Sequence, residues 1–202
     1  MKSASRRHDP EASRSAILDA AEQLFLERGF AGASMSEIAK GSGVTKSLIH
    51  HHFGSKDALW REVKRRRFAS YHQQQMALFA REGPTQGLLQ ESMQVYFQFL
   101  RQNPATVRLM SWMQLEGDRD LTEMVKELRD AGIELVSAAQ AATVLRADIP
   151  APMVLMIFMG LVKAWFADPS HDDDDATANA YLETAWSLFA EGVVARQATD
   201  PA

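Results

Sequence analysis

From Ile17 to Val193 the apolar residues of this chain recur at spacings of three and four, and no run of β-branched residues alternates with polar ones. A period near 3.6 gathers such residues on one face of a helix, so almost every segment reads as helix and the sheet classes fall away. The 202 residues suffice for one large domain or a small domain joined to a larger one. The expected fold is all-α, with about nine helices.

Local signals set the boundaries. Ile17, Ala20, Ala21, Leu24 and Phe25 share a face of the first helix, which Gly29 should end in a left-handed conformation. Ser34-Met35-Ser36-Glu37 has the form of a capping box, in which Ser34 accepts from the Glu37 N–H and Glu37 reaches back to Ser34. The second helix is short, because Gly41 and Gly43 weaken it; Thr45 caps a third, and Ser55 opens a fourth that runs to about Ala80. Beyond Gly83-Pro84, helices are expected at 85–102, 104–116, 119–146, 150–168 and 176–197, separated by Asn103-Pro104, Gly117-Asp118, Ile149-Pro150 and the polar stretch Asp168 to Asp175.

Composition removes several classes of chemistry. Hydrophobic residues make up 46% and charged residues 24%, as in ordinary globular proteins. Without cysteine there are no disulfides, thiolate ligands or thiol redox sensing, which fits a reducing cytoplasm. The polar N-terminus lacks the apolar stretch of a secretory signal, and the most apolar run, Ile149 to Val162, is too short to span a bilayer and reads as a buried helix. Charge is uneven. Residues 1–80 carry 13 Lys and Arg against 8 Asp and Glu, whereas 81–202 carry 9 against 18. A basic first part suggests a polyanion partner for that part alone.

Two short helices around a glycine turn, in the basic part, are what a helix-turn-helix requires. Their close crossing needs small residues and a permissive turn, for which Ala39 and Gly43 stand four apart, while Ile38, Val44 and Ile49 supply apolar contacts.

Residues 17–60, ILDAAEQLFLERGFAGASMSEIAKGSGVTKSLIHHHFGSKDALW, resemble the TetR family of bacterial transcriptional repressors. Gly29-Phe30, Ile38-Ala39, Gly43-Val44-Thr45, His51-His52-Phe53 and Gly54-Ser55-Lys56 carry the likeness in order and spacing. Ser42 stands where the family commonly has alanine, and His50 where it commonly has tyrosine. The resemblance implies a DNA-binding domain over about 11–71, with its helix-turn-helix near 34–53, and a larger effector-binding and dimerisation domain over 72–202.

Major-groove base edges are read from the start of a recognition helix, here Thr45, Lys46 and Ser47. Lys46 can donate to guanine or to phosphate, and Thr45 can cap its helix as well. Ser34 and Ser36 begin the preceding helix and Lys56 the following one, where free N–H groups suit phosphate. Consecutive helical residues point about 100° apart, so His50, His51 and His52 cannot converge on one metal ion; His50 and His51 are expected near the sugar-phosphate backbone. Arg6, Arg7 and Arg14 form either an arm along the DNA or a plain basic tail, and Lys64 to Arg67 read as a solvated face. His171 with Asp172 to Asp175 likewise reads as solvated, so no metal and no cofactor are expected.

Met93, Tyr96, Phe97, Leu100, Met110, Trp112, Met113, Met156, Met159 and Trp165 make a methionine- and aromatic-rich layer suited to walling an apolar pocket, and the resemblance implies that an effector pocket lies there. The last two helices carry more apolar surface than one-sided packing needs. The resemblance implies that they pair with a second copy through Ala151, Gly160, Ala164, Tyr181, Ala185, Trp186 and Phe189. The partners expected are therefore a double-stranded operator, a small apolar or amphipathic effector and a second copy of the chain, with no membrane. A helical enzyme is the alternative from another class, but no Gly-x-Ser-x-Gly, His-Glu-x-x-His or cysteine is present to support it; a protein-binding adaptor is a third.

Overall fold

The structure is a computed structural model that describes residues 9–81, 83–120, 122–168 and 170–195. Among these it is all-helical: α1 (Pro10–Gly32), α2 (Met35–Ser42), α3 (Lys46–Phe53), α4 (Lys56–Phe79), α5 (Gln86–Gln102), α6 (Pro104–Leu115), α7 (Glu123–Ala141), α8 (Ala151–Ala167) and α9 (Asp175–Val193). The only extended pairing among the described residues is one antiparallel bridge between Leu145 and Val194. None of the described helices is long and apolar enough to cross a membrane.

The chain divides into two compact units. The N-terminal unit joins residues 1–68 to 105–122, and the C-terminal unit joins 69–104 to 123–202. The chain thus passes between units after Phe68, inside α4, after Pro104, at the start of α6, and after Thr122.

In the N-terminal unit Ile17, Leu18, Ala21 and Phe25 from α1 meet Ile38 from α2, Ile49 from α3, and Leu59, Trp60 and Val63 from α4. Leu109, from α6, joins the same core. Asp9, outside the expected first helix, caps it by accepting from the Glu11 N–H at 3.0 Å, with Pro10 in the first turn where its missing N–H costs nothing. Gly29 does not end α1. Its backbone (φ 72°, ψ −179°) breaks the helix into a kink, after which one more turn runs to Gly32. Half of the expected capping box forms: Ser34 Oγ accepts from the Glu37 N–H at 3.2 Å, but the Glu37 carboxylate turns to the Ser34 hydroxyl and to Arg28 Nη1. Thr45 caps α3 through the Leu48 N–H, and Ser55 accepts from the Ala58 N–H at 3.1 Å. At Gly43 (φ 71°) the left-handed backbone demands glycine; a Cβ there would meet nothing within 4 Å, so the tight crossing expected at this position is absent.

In the C-terminal unit α5 packs on α8 and α9, and α7 on α8. Gln75 on α4 and Ser92 on α5, both buried, satisfy each other: the Ser92 hydroxyl donates to Gln75 Oε1 and Gln75 Nε2 to the Ser92 carbonyl, each at 3.0 Å. The helix expected over 119–146 begins at Glu123 and stops at Ala141. Beyond it the backbone N–H groups of Val144 and Leu145 fold back onto the Ala139 carbonyl, with Thr143 at φ 57°. Leu145 is thereby buried beside the end of α9, and the Arg146 N–H donates to the Val193 carbonyl, which closes α9 at Val193 instead of 197.

Candidate nucleic-acid interface

The start of α3 is exposed. Thr45, Lys46 and Ser47 all face solvent, with Thr45 Oγ1 3.0 Å from Ser47 Oγ as well as capping the helix. At the start of α2, Ser36 is exposed and Ser34 half-buried. Ser42, one of the two departures from the family pattern, donates to the Ile38 carbonyl at 2.7 Å, so its hydroxyl is satisfied inside α2.

The charges around this surface decide what it can bind. Arg14 pairs with Glu62 at 2.6 Å and lies over the Phe53 ring, so it belongs to α1 and not to a loose arm; Arg6 and Arg7 lie outside the described residues. Lys64 to Arg67 are not a solvated face. Lys64 is 1% exposed and donates to Asp118 at 2.9 Å; Arg65 holds Glu62, Arg66 holds Asp19 and Glu22, and Arg67 also pairs with Glu22. The reason is geometric: four consecutive residues of α4 point to different sides of the helix, and the carboxylates that meet them come from α1, from α4 itself and from the turn after α6. Arg61 pairs with Asp120 and Arg28 with Glu37. Lys56 turns inward, donating to the Ala33 carbonyl at 2.8 Å with its ammonium 4.3 Å from the Phe30 ring centre. Of the described lysines and arginines in residues 9–68, Lys40 and Lys46 alone have no partner. They flank the turn of the helix-turn-helix, at the end of α2 and the start of α3.

The carboxylates respond to this pairing. Hydrogen bonds from Arg65, followed by Arg14, hold Glu62 down to about 2 against the opposing effect of burial. Burial alone would raise Asp118, but hydrogen bonds from Lys64 and Trp60 hold it below the usual carboxylate range.

The three histidines do not converge. His50 Nδ1 lies 2.8 Å from the Gly54 carbonyl and closes the end of α3, His51 is exposed, and His52 is half-buried between His51 and Phe53. No cluster of three or more metal-ligating side chains occurs among the described residues.

The C-terminal unit distributes the expected pocket residues in three ways. Met93, Tyr96, Phe97, Leu100 and Trp165 are buried, with Phe97 and Trp165 rings 5.7 Å apart. Met159 is half-buried and Met156 is 64% exposed, which puts Met156 on the surface of α8. Trp112 and Met113 are taken up by the N-terminal unit: Trp112 Nε1 donates to the Leu26 carbonyl at 3.0 Å and Met113 packs on that unit's core, while Met110 is half-buried on the same helix. A pocket of about 130 Å³ does open between α5 and α9, lined by Gln90, Met93, Gln94, Asn179, Leu182, Glu183 and Trp186. Of the expected wall, only Met93 lines it.

The last two helices likewise divide. Ala151, Ala185 and Phe189 are buried inside one chain, Tyr181 and Trp186 are half-buried, and Gly160 and Ala164 are exposed. Trp186 faces the α5–α9 pocket. The outward surface is instead Met153, Met156 and Ile157 with Gly160 and Ala164 on α8, and Leu188 on α9. His171 packs at a tilt on Trp165 with ring centres 3.7 Å apart. Asp173 and Asp175 hold Arg101, and Asp174 caps α9 through the Thr177 N–H, so the acidic run ties α9 to α5.

Two family models match the chain: "Bacterial regulatory proteins, tetR family" over residues 17–63 and "Tetracyclin repressor-like, C-terminal domain" over 89–190. The transcriptional repressor NemR of Escherichia coli is 39% identical over 67 residues, 33% of this chain and about a third (34%) of NemR's own length. The transcriptional activator FasR of Mycolicibacterium smegmatis is 24% identical over 177 residues, covering 86% of this chain and 81% of FasR. Among solved structures, AibR in complex with isovaleryl coenzyme A and operator DNA superposes with a TM-score of 0.66 at 18% identity, over 88% of this chain and 97% of that one.

Proposed function

This chain belongs to the TetR family of DNA-binding transcriptional regulators, and from that premise we propose that it acts as a homodimeric repressor released from a palindromic operator by an apolar or amphipathic small molecule. The observation that carries the DNA reading is the state of the cations. Between residues 9 and 68 every arginine is paired within the protein, while Lys46 is left unpaired at the exposed start of α3 and Lys40 at the end of α2. An unpaired lysine beside Thr45 and Ser47 is placed to donate to guanine edges while the neighbouring hydroxyls meet bases or phosphates.

Dimerisation rests on the outward face of α8 and α9. Met153, Met156, Ile157, Gly160 and Ala164 follow the spacing of a single helical stripe, and Leu188 on α9 is 62% exposed. A second copy would cover this face by two-fold symmetry, and two symmetric recognition helices would match a palindrome.

The effector reading rests on the aromatic layer of the C-terminal unit and on AibR, whose complex holds an acyl coenzyme A together with operator DNA. The α5–α9 pocket, at about 130 Å³, is smaller than the ~300–1,000 Å³ of ordinary ligand sites, so an effector of that size must open the layer as it binds.

A gel shift with DNA from upstream of the chain's own gene, competed with random duplex at several salt concentrations, tests the proposal. A sequence-dependent complex that dissolves on adding an acyl thioester is the expected result. Binding that follows salt alone and ignores sequence would reduce the protein to a non-specific polyanion binder.

A further inference from the structure

Residues 105–122 fall within the C-terminal family match, yet they pack in the N-terminal unit. Two carboxylates in this segment hold the scaffold of the helix-turn-helix at two places, one on α1 and one on α4. Glu116 accepts from the backbone N–H groups of Phe30 at 3.1 Å and Ala31 at 3.0 Å, the pair set free by the kink at Gly29. The contact is close enough that a Cβ on Gly29 would lie 2.5 Å from Glu116 Oε1 and 2.7 Å from the Trp112 ring. One turn before Glu116, Trp112 Nε1 donates to the Leu26 carbonyl on the near side of the same kink. On α4 it is Asp118 that accepts, from Trp60 Nε1 at 2.7 Å and from the buried Lys64 ammonium at 2.9 Å, and the Asp120 carbonyl takes a further bond from Lys64. Trp60 packs edge-on against Phe25 and 5.9 Å from Phe30, so the two grips share one aromatic cluster.

We propose that Glu116 and Asp118 are positioning residues for operator recognition: they fix the kink of α1 and the first half of α4, and through these the placement of α2 and α3. The kink leads within a few residues to Ser34, the cap of α2, so its direction sets where the helix-turn-helix begins. Both carboxylates are engaged by donors of the protein itself. The inference rests on the operator-binding reading, but it makes a structural claim that can be measured without DNA.

The test uses the full-length chain carrying Glu116→Gln, which keeps the size of the side chain but sets an amide N–H against one of the two backbone donors. Amide hydrogen exchange should speed up at Phe30 and Ala31 and spread through Met35–Phe53, while α9 stays at its wild-type rates. Preference for operator over random duplex should fall by about tenfold, the loss of roughly one well-made hydrogen bond, with the salt slope unchanged because phosphate contacts remain. If faster exchange stays confined to Phe30 and Ala31, or if operator preference is untouched in a folded variant, the positioning role is overturned. Should Glu116→Gln not fold, Glu116→Asp keeps the charge but draws the carboxylate back from the Phe30 and Ala31 N–H groups, and the same two measurements decide for or against the positioning role in the same way. Spread of exchange into α2 and α3 in a protein whose wild type shows no sequence preference would instead sink the operator reading and leave the clamp standing.

Discussion

At the residue scale the division between paired and unpaired charge is the informative feature. Lys46→Ala should weaken operator binding. If the ammonium makes a base contact, discrimination among sequences should drop by about 1–3 kcal/mol; if it meets only phosphate, all sequences should weaken together and the salt slope should fall by about 1. Competition gel shifts across a salt series separate these outcomes, and unchanged affinity and slope would remove Lys46 from the interface. Glu62 makes a complementary prediction about stability. Its carboxyl is held at about 2 in the folded protein by Arg65 and Arg14, below its ordinary value of 4.5. A depressed carboxylate stabilises the fold fully above its unfolded value, and that stabilisation is lost as pH falls from about 4.5 toward 2. The gap in urea midpoint between wild type and Glu62→Gln should therefore be widest near neutral pH and close on acidification; a gap independent of pH would mean that the Arg14–Glu62–Arg65 arrangement adds nothing.

At the element scale, legibility in the sequence followed the range of the interaction. Ser34, Thr45 and Ser55 lie within three residues of the N–H groups they cap, so α2, α3 and α4 begin where these side chains place them. Glu116 and Asp118, by contrast, meet partners 86 and 58 positions away, and neither carries a local signal of its role. Trp112 was legible as a large apolar residue but not as one spent against the kink of α1, because periodicity marks a buried face without saying what covers it. The same limit explains α8 and α9. Both were readable as strongly apolar, yet which apolar face points outward depends on where α5 packs. On α9 Trp186 and Leu188 are two residues apart and so point about 160° away from each other; the first lines the pocket and the second faces out. The dimer prediction accordingly belongs to the outward stripe. Met156→Glu or Leu188→Glu should yield a folded monomer by light scattering and abolish tight operator binding, because an unpaired charge in a desolvated interface costs several kcal/mol. Trp186→Glu should leave the oligomeric state alone. A wild-type monomer at micromolar concentration would remove the dimer.

At the scale of the whole molecule the question is how occupancy of the C-terminal unit could reach the recognition helix. The chain passes between units after Phe68, Pro104 and Thr122; the first passage lies inside α4 and the second at the start of α6, so two helices carry backbone continuity from one unit into the other. An effector shifts the equilibrium only by the difference in its affinity for the DNA-competent and DNA-incompetent arrangements. To bind among Tyr96, Phe97, Leu100 and Trp165 it must part side chains that the structure buries, and a state with this layer opened is the one such a ligand selects. Linkage then demands reciprocity: a ligand that lowers operator affinity by some factor must bind the operator complex more weakly by the same factor. Titrating an acyl thioester into free protein and into the operator complex measures both sides of that cycle. Equal affinity for the two states would rule the ligand out as inducer. The substitution Phe97→Trp separates the route from the site, since overfilling the layer should weaken the ligand while leaving operator affinity in its absence unchanged. A variant that lost operator binding without any ligand would show instead that the intact layer itself supports the DNA-competent state.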